Sequence, residues 1–256
     1  MFVHSYLQNG AEYEGLACAL AGEGWRIYCP DLAGHGRSGW REDAADYRFE
    51  LYAADVVTMI AMSGADKVHL LGSSMGGIIG MRLAGIPDAP IRSLVLNDVG
   101  AIAHREALQR VLQRVPERTM FATLAEAEAV ARRFYGGRGP LPAAQWEMLL
   151  RAMLARYDDK IGFRYDPRLV SAMQAMAERR FDRWERWTKL DVPTLVIRGE
   201  HSEMLTAEIG QQMIEARRGA DLLTMPDAGH PPWLRAPDQM DPVLQWLKRA
   251  EALAAP

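Results

Sequence analysis

Apolar positions along the chain follow two rhythms. Outside residues 101–190, short unbroken apolar runs alternate with segments of helical period. The runs Phe2-Val3-His4, 25–29, 68–71, 93–97, 194–197 and 222–225 read as strands. The segments 12–20, 46–62, 75–84, 206–217 and 237–250 read as helices, bounded by Gly22, Gly85 and Pro87 among other breakers. Continuous rather than alternating apolar strands are those buried on both faces, so the pattern predicts an α/β fold: a mostly parallel sheet with helices on both sides. From 101 to 190 the alternation stops. Helical patterns at 104–114, 123–134, 143–156 and 167–187 fill 90 residues, too long and too patterned for a loop. The expected organisation is therefore a first core part at 1–100, a helical cap insertion at 101–190 and a second core part at 191–256.

The strand at 68–71 runs into Gly72-Ser73-Ser74-Met75-Gly76 and directly on into a helix. G-x-S-x-G between strand and helix is a nucleophile-elbow pattern, with the serine on a strained turn and the glycines letting neighbouring backbones approach. The same five residues also fit a glycine-rich turn carrying a bystander serine. The rest of the chain favours the elbow. His230 stands in a loop after the last strand, where an imidazole has little packing reason to exist and could shuttle the Ser74 proton. His4, His35, His69, His104 and His201 compete for that role. Mid-strand His69 reads as buried, and His35 as a shaper of its turn-rich loop. The imidazole needs an acid to orient it, and Glu203 and Asp98 both follow strand ends. The order Ser74, Glu203, His230 favours Glu203, with Asp98 as the alternative. The oxyanion formed on attack would be held by the backbone amides of Met75, after the nucleophile, and of Tyr6, in the loop after the first strand.

Composition narrows the surroundings of this chemistry. A net charge of −3 argues against nucleic acid as the main partner. No stretch reaches membrane-spanning length, and the first residues lack a signal-peptide pattern, so a cytoplasmic protein with a small-molecule substrate is expected. Cys18 and Cys29 are too few for a disulfide scaffold and are expected as buried free thiols. No metal or organic cofactor is called for. Residues 101–190 carry 17 Lys plus Arg against 11 Asp plus Glu, a balance of +6 against −9 for the rest. A basic lid over an acidic core could attract anions, although arginines on solvated helix faces give the same count.

Taken together these residues resemble the α/β-hydrolase superfamily over nearly the whole chain. Asp31-x-x-Gly34-x-Gly36-x-Ser38 is similar to its D-x-x-G-x-G-x-S loop, and Gly72-Ser73-Ser74-Met75-Gly76-Gly77 to the elbow of many esterases and of meta-cleavage C–C hydrolases. The segments 94–100, 198–203 and Gly229-His230 match its late motifs. The resemblance implies a serine hydrolase cleaving a small to medium carboxylic ester through an acyl-enzyme. A C–C hydrolase of a vinylogous diketone acid and a non-catalytic ligand-binding protein on the same fold are the alternatives. Three departures stand out. His4-Ser5 replaces the family's His-Gly, which puts strain on the oxyanion loop. The expected acid is Glu where many members have Asp. The family's first two strands have no counterpart here, so the expectation is either a chain that starts further upstream or a strand at 25–29 left as an exposed edge open to pairing in a homodimer.

Overall fold

The computed structural model describes residues 1–116, 119–177 and 181–254. Five strands form the central sheet: β1 (Phe2–Val3), β2 (Val68–Ser73), β3 (Ile91–Asn97), β9 (Thr194–Gly199) and β10 (Ala220–Met225), in the order β1-β2-β3-β9-β10. Every pairing is parallel. Leu70, Leu71, Leu94, Val95, Leu96, Val196 and Ile197 are all fully buried, as unbroken apolar runs require when helices cover both faces. The helices of the core are α1 (Glu14–Ala21), α2 (Phe49–Ser63), α3 (Met75–Ala84), α9 (Ala207–Ala216) and α10 (Pro237–Ala254). One face packs around Val56, Ile79 and Met213, and the other around Leu16, Leu20 and Leu247. No described helix is long and apolar enough to cross a membrane.

Three expectations change. Residues 25–29 form no strand. The Phe2 N–H donates to the Tyr28 carbonyl (2.8 Å), but β1 spans two residues and offers too few groups for a ladder. Cys18 is exposed and Cys29 half-buried, because the inward face of α1 is set by Leu16 and Leu20, and Cys18 lies midway between them on the opposite side. The 101–190 block is not purely helical. It holds α4 (Arg105–Arg114), α5 (Leu124–Tyr135), α6 (Ala143–Met153), α7 (Arg168–Ala177) and α8 (Trp184–Thr188), together with two small antiparallel sheets. One pairs β4 (Ile102–Ala103) with β8 (Phe181–Asp182); the other joins β5 (Met120–Phe121), β7 (Lys160–Phe163) and β6 (Leu154–Tyr157). The helix expected to run to 156 stops at Met153, and the chain folds into a hairpin whose turn residue Asp158 has φ 53°, a conformation that Asp tolerates. The helix expected over 167–187 ends its described part at Ala177, and residues 178–180 lie outside the described residues.

The inserted block is fastened to the core at several points. The Tyr135 hydroxyl donates to the Leu7 carbonyl (2.8 Å), and Arg164 and Asp166 pair with Gly36 and Gly34 through backbone bonds of 2.7 Å. Buried Asp166 accepts from the Tyr47 hydroxyl (2.5 Å) and from Arg168 (2.7 Å). The Trp187 indole is fully buried and donates to the Met213 carbonyl (2.9 Å), so the last helix of the block packs as part of the core.

Candidate active site

β2 delivers Ser74 to the carboxyl end of the sheet, and α3 starts at the next residue. Ser74 has φ 46° and ψ −108°, a backbone conformation that costs a non-glycine residue energy and is kept only where the surroundings enforce it. The enforcement is visible. A Cβ on Gly76 would strike the Val3 carbonyl, and one on Gly72 would strike the Gly76 backbone, so strand, turn and helix approach closer than any side chain allows. The Ser74 amide donates to the Asn97 carbonyl (3.0 Å) and the Asn97 side chain donates to Ser73 Oγ (2.6 Å) and the Pro232 carbonyl (3.0 Å). Asn97 thereby ties the elbow to the loop that bears His230.

Ser74 Oγ lies 3.0 Å from His230 Nε2, and His230 Nδ1 lies 2.6 Å from Asp98 Oδ2. Asp98 follows β3, is 1% exposed and has φ 62°. Its carboxylate also accepts the Gly199 amide (2.9 Å) and the Ser202 hydroxyl (2.5 Å). Because these donors make the carboxylate an acceptor, the proton between it and the imidazole belongs on Nδ1, leaving Nε2 free to accept from Ser74.

Glu203, the favoured acid in the sequence, does not reach His230. The chain turns at Gly199–Ser202, aims Ser202 at Asp98, and leaves Glu203 41% exposed in ion pairs with Arg110 (2.9 Å) and Arg114 (3.5 Å). Sheet order supplies the reason. β3 is the immediate neighbour of β2, whereas β9 is one strand further from Ser74. The alternative acid, Asp98, is the one brought to the imidazole. Ser202 escaped the sequence reading because a lone serine in a polar loop carries no signal.

Tyr6 and Met75 both border the cleft at Ser74, and Met75 opens α3, where amides have no partner within the helix. The loop after β1 carries a buried anchor that the sequence did not reveal. Fully buried Glu12 accepts the Ser5 amide (2.7 Å) and the Ser5 hydroxyl (3.0 Å), and it is ion-paired with buried Arg138 from the inserted block. Arg138 in turn donates to the Pro231 carbonyl (2.7 Å) and stacks 3.7 Å over Trp233. Ser5 therefore uses the side chain that distinguishes it from glycine. The positive φ of this loop falls on Leu7 (61°), and Ser5 is free of the expected strain. The competing histidines are otherwise engaged or exposed: His4 and His35 are buried together, His69 bonds Ser93 and Glu251, and His104 and His201 face solvent. Glu200, His201 and Asp227 bring possible ligand atoms within 4.8 Å of one another, but all three are exposed side chains of a polar loop region.

The cleft has two lobes that meet at Ser74 and His230. A polar lobe is bordered by Ser5, Arg114, Arg138, His201 and Glu203. An apolar lobe of about 620 Å³, mouth included, runs between Phe49, Ile78, Val99, Leu108, Met176 and Phe181.

A model of the alpha/beta hydrolase family matches residues 1–243. The chain is 34% identical over 246 residues to a 3-hydroxybutyrate-oligomer hydrolase of Cupriavidus necator, covering 93% of this chain and 84% of that protein. It is 25% identical over 241 residues to a 2-hydroxy-6-oxononadienedioate/2-hydroxy-6-oxononatrienedioate hydrolase of Klebsiella pneumoniae, covering 90% and 79%. Among solved structures it is similar to an alpha/beta hydrolase from Novosphingobium aromaticivorans, with TM-score 0.86, 30% identity and coverage of 97% and 88%.

Proposed function

The chain belongs to the alpha/beta hydrolase family, and from that premise we propose that it is a serine hydrolase acting on carboxylic esters. The observation that carries this reading is the hydrogen-bonded chain from Ser74 through His230 to buried Asp98, set where two lobes of a cleft meet. Ser74 Oγ attacks the ester carbonyl as its proton passes to His230 Nε2. Asp98 holds the tautomer and stabilises the imidazolium so formed. The negative oxygen is held by the Met75 and Tyr6 amides. The ester C–O bond breaks, the alcohol leaves with the proton from His230, and an acyl-Ser74 remains. Water then attacks that acyl group, giving a proton to His230, and the acid departs as Ser74 is reprotonated. The similarity to an oligomer hydrolase of a hydroxyacid, whose units are joined by ester bonds, supports esters over other bonds.

The similarity to the Klebsiella hydrolase keeps C–C cleavage of a vinylogous diketone acid as a second reading. Rapid-quench turnover of 4-nitrophenyl butanoate, with acyl-Ser74 located by mass spectrometry, tests the first reading. A burst of nitrophenol with an adduct on Ser74, absent in Ser74→Ala, is the expected result. Cleavage of a diketone acid without ester turnover would instead favour the second reading.

A further inference from the structure

The apolar lobe contains one feature that apolar packing does not explain. Arg183 lines it together with Ser74, Met75 and His230. Among the described residues of the lobe the only anion is Asp98, already occupied by His230, Gly199 and Ser202. Among the described residues the Arg183 guanidinium has no ion pair or hydrogen bond; its contact is with the Phe181 ring, 4.7 Å from Cζ. Burial and neighbouring Arg186 push it down to about 10 against the weaker attraction of Asp182, the direction expected when a cation is removed from water without a hydrogen-bonded counter-ion. Its place is fixed. It follows β8, which pairs with β4, and its own amide donates to the Ala101 carbonyl (2.6 Å). Beyond it the lobe shares Phe49, Ile78, Met176 and Phe181 with an outer groove, whose charged residues are Arg48, Arg82, Arg183 and Arg186 against Glu50 and Asp182.

A half-buried cation with no hydrogen-bonded partner among the described residues costs stability, and an anion bound in the lobe it shares with Ser74 would recover that cost. We infer that Arg183 is a specificity-determining residue that binds the carboxylate of an ester substrate whose short apolar chain fills the lobe. This rests on the ester-hydrolase reading for its substrate class. Arginine suits the task because its fork matches a carboxylate and keeps its charge at every physiological pH.

The test uses calorimetric binding to the Ser74→Ala protein, which does not depend on turnover. The probes are monomethyl adipate and its neutral counterpart methyl 6-oxoheptanoate. Monomethyl adipate is expected to bind Ser74→Ala at least ten-fold more tightly than the ketone. In Ser74→Ala/Arg183→Met that preference disappears through loss of the anion's affinity alone, while Arg183→Lys keeps most of it. The Arg183→Met proteins should melt at or above the temperature of their parents, since a half-buried charge without a hydrogen-bonded partner has been removed. Equal binding of the two probes, or a preference that survives Arg183→Met, overturns the inference. Turnover by the protein with Ser74 intact separates the two readings. Hydrolysis of both esters at equal kcat/KM would leave the ester-hydrolase reading standing and remove the role of Arg183. Anion-selective binding with no hydrolysis of either ester would do the reverse.

Discussion

At the scale of single residues, the site uses two positive-φ backbones, one at an Asp, which tolerates it, and one at a Ser, which does not. Ser74 sits at φ 46° and Asp98 at φ 62°. Ser74 is a bystander to packing but not to strain, and this can be measured. Ser74→Gly and Ser74→Ala both lose the hydroxyl, yet only glycine takes the turn without penalty. Ser74→Gly is expected to be more stable than Ser74→Ala by about 1 kcal/mol, or roughly 2–4 °C in melting temperature for a chain of this size. The ordinary order, Ala above Gly, would show that the turn is unstrained. Ser74 and His230 were legible as candidates in the sequence because each stands in a patterned context: glycines around one, a strand-ending loop around the other. The choice between acids was not. Asp98 and Glu203 both follow strand ends, and chain order admits both. Only lateral sheet order places the end of β3 next to the elbow, and lateral order leaves no trace in local pattern.

At the scale of elements, the loop after β1 is held by burial of polar groups. His4 and His35 pack with ring centroids 4.8 Å apart. His4 accepts the Leu32 amide (3.0 Å) and donates to the Ser5 carbonyl (2.8 Å). Burial holds His4 below the usual 6.5, and burial together with His4 holds His35 well below it. The sign follows from proton binding. Below pH 6.5 the unfolded chain takes up protons on both rings that the folded chain does not, so stability is full above that pH. It is lost as pH falls from 6.5 toward the folded values, by at most about 1.4 kcal/mol per pH unit for each ring. Melting temperature is therefore expected to decline between pH 7 and 5. In His35→Gln, although less stable at pH 7, the decline should be shallower. An unchanged slope would show that His35 titrates normally in the folded protein.

At the scale of the whole molecule, the α/β architecture was readable because strands covered on both faces need unbroken apolar runs, and β2, β3 and β9 hold them at 70–71, 94–96 and 195–197. The inserted block was readable as an interruption but not in its detail. Its hairpin and its two-residue strands pair through backbone groups, which short sequences of mixed polarity do not announce. The segment at 25–29 shows the converse error: an apolar run reads as a strand, but β1 offers too short a partner for it. The Glu12–Arg138 pair was invisible for a different reason. It joins residues 126 apart across the core and the inserted block, and each alone looks like a surface charge.

In the proposed mechanism Asp98, rather than Glu203, orients His230 toward an activated Ser74. The rate at which a fluorophosphonate probe labels Ser74, located by mass spectrometry, reads this out in the wild type, Asp98→Asn and Glu203→Gln. One adduct per chain on Ser74 is expected in the wild type. Asp98→Asn should slow labelling by about 10³–10⁴-fold, because the amide stabilises the wrong tautomer, while Glu203→Gln stays close to the wild-type rate. Labelling lost in Glu203→Gln and kept in Asp98→Asn would contradict the mechanism, as would a folded wild-type protein that takes no label on Ser74.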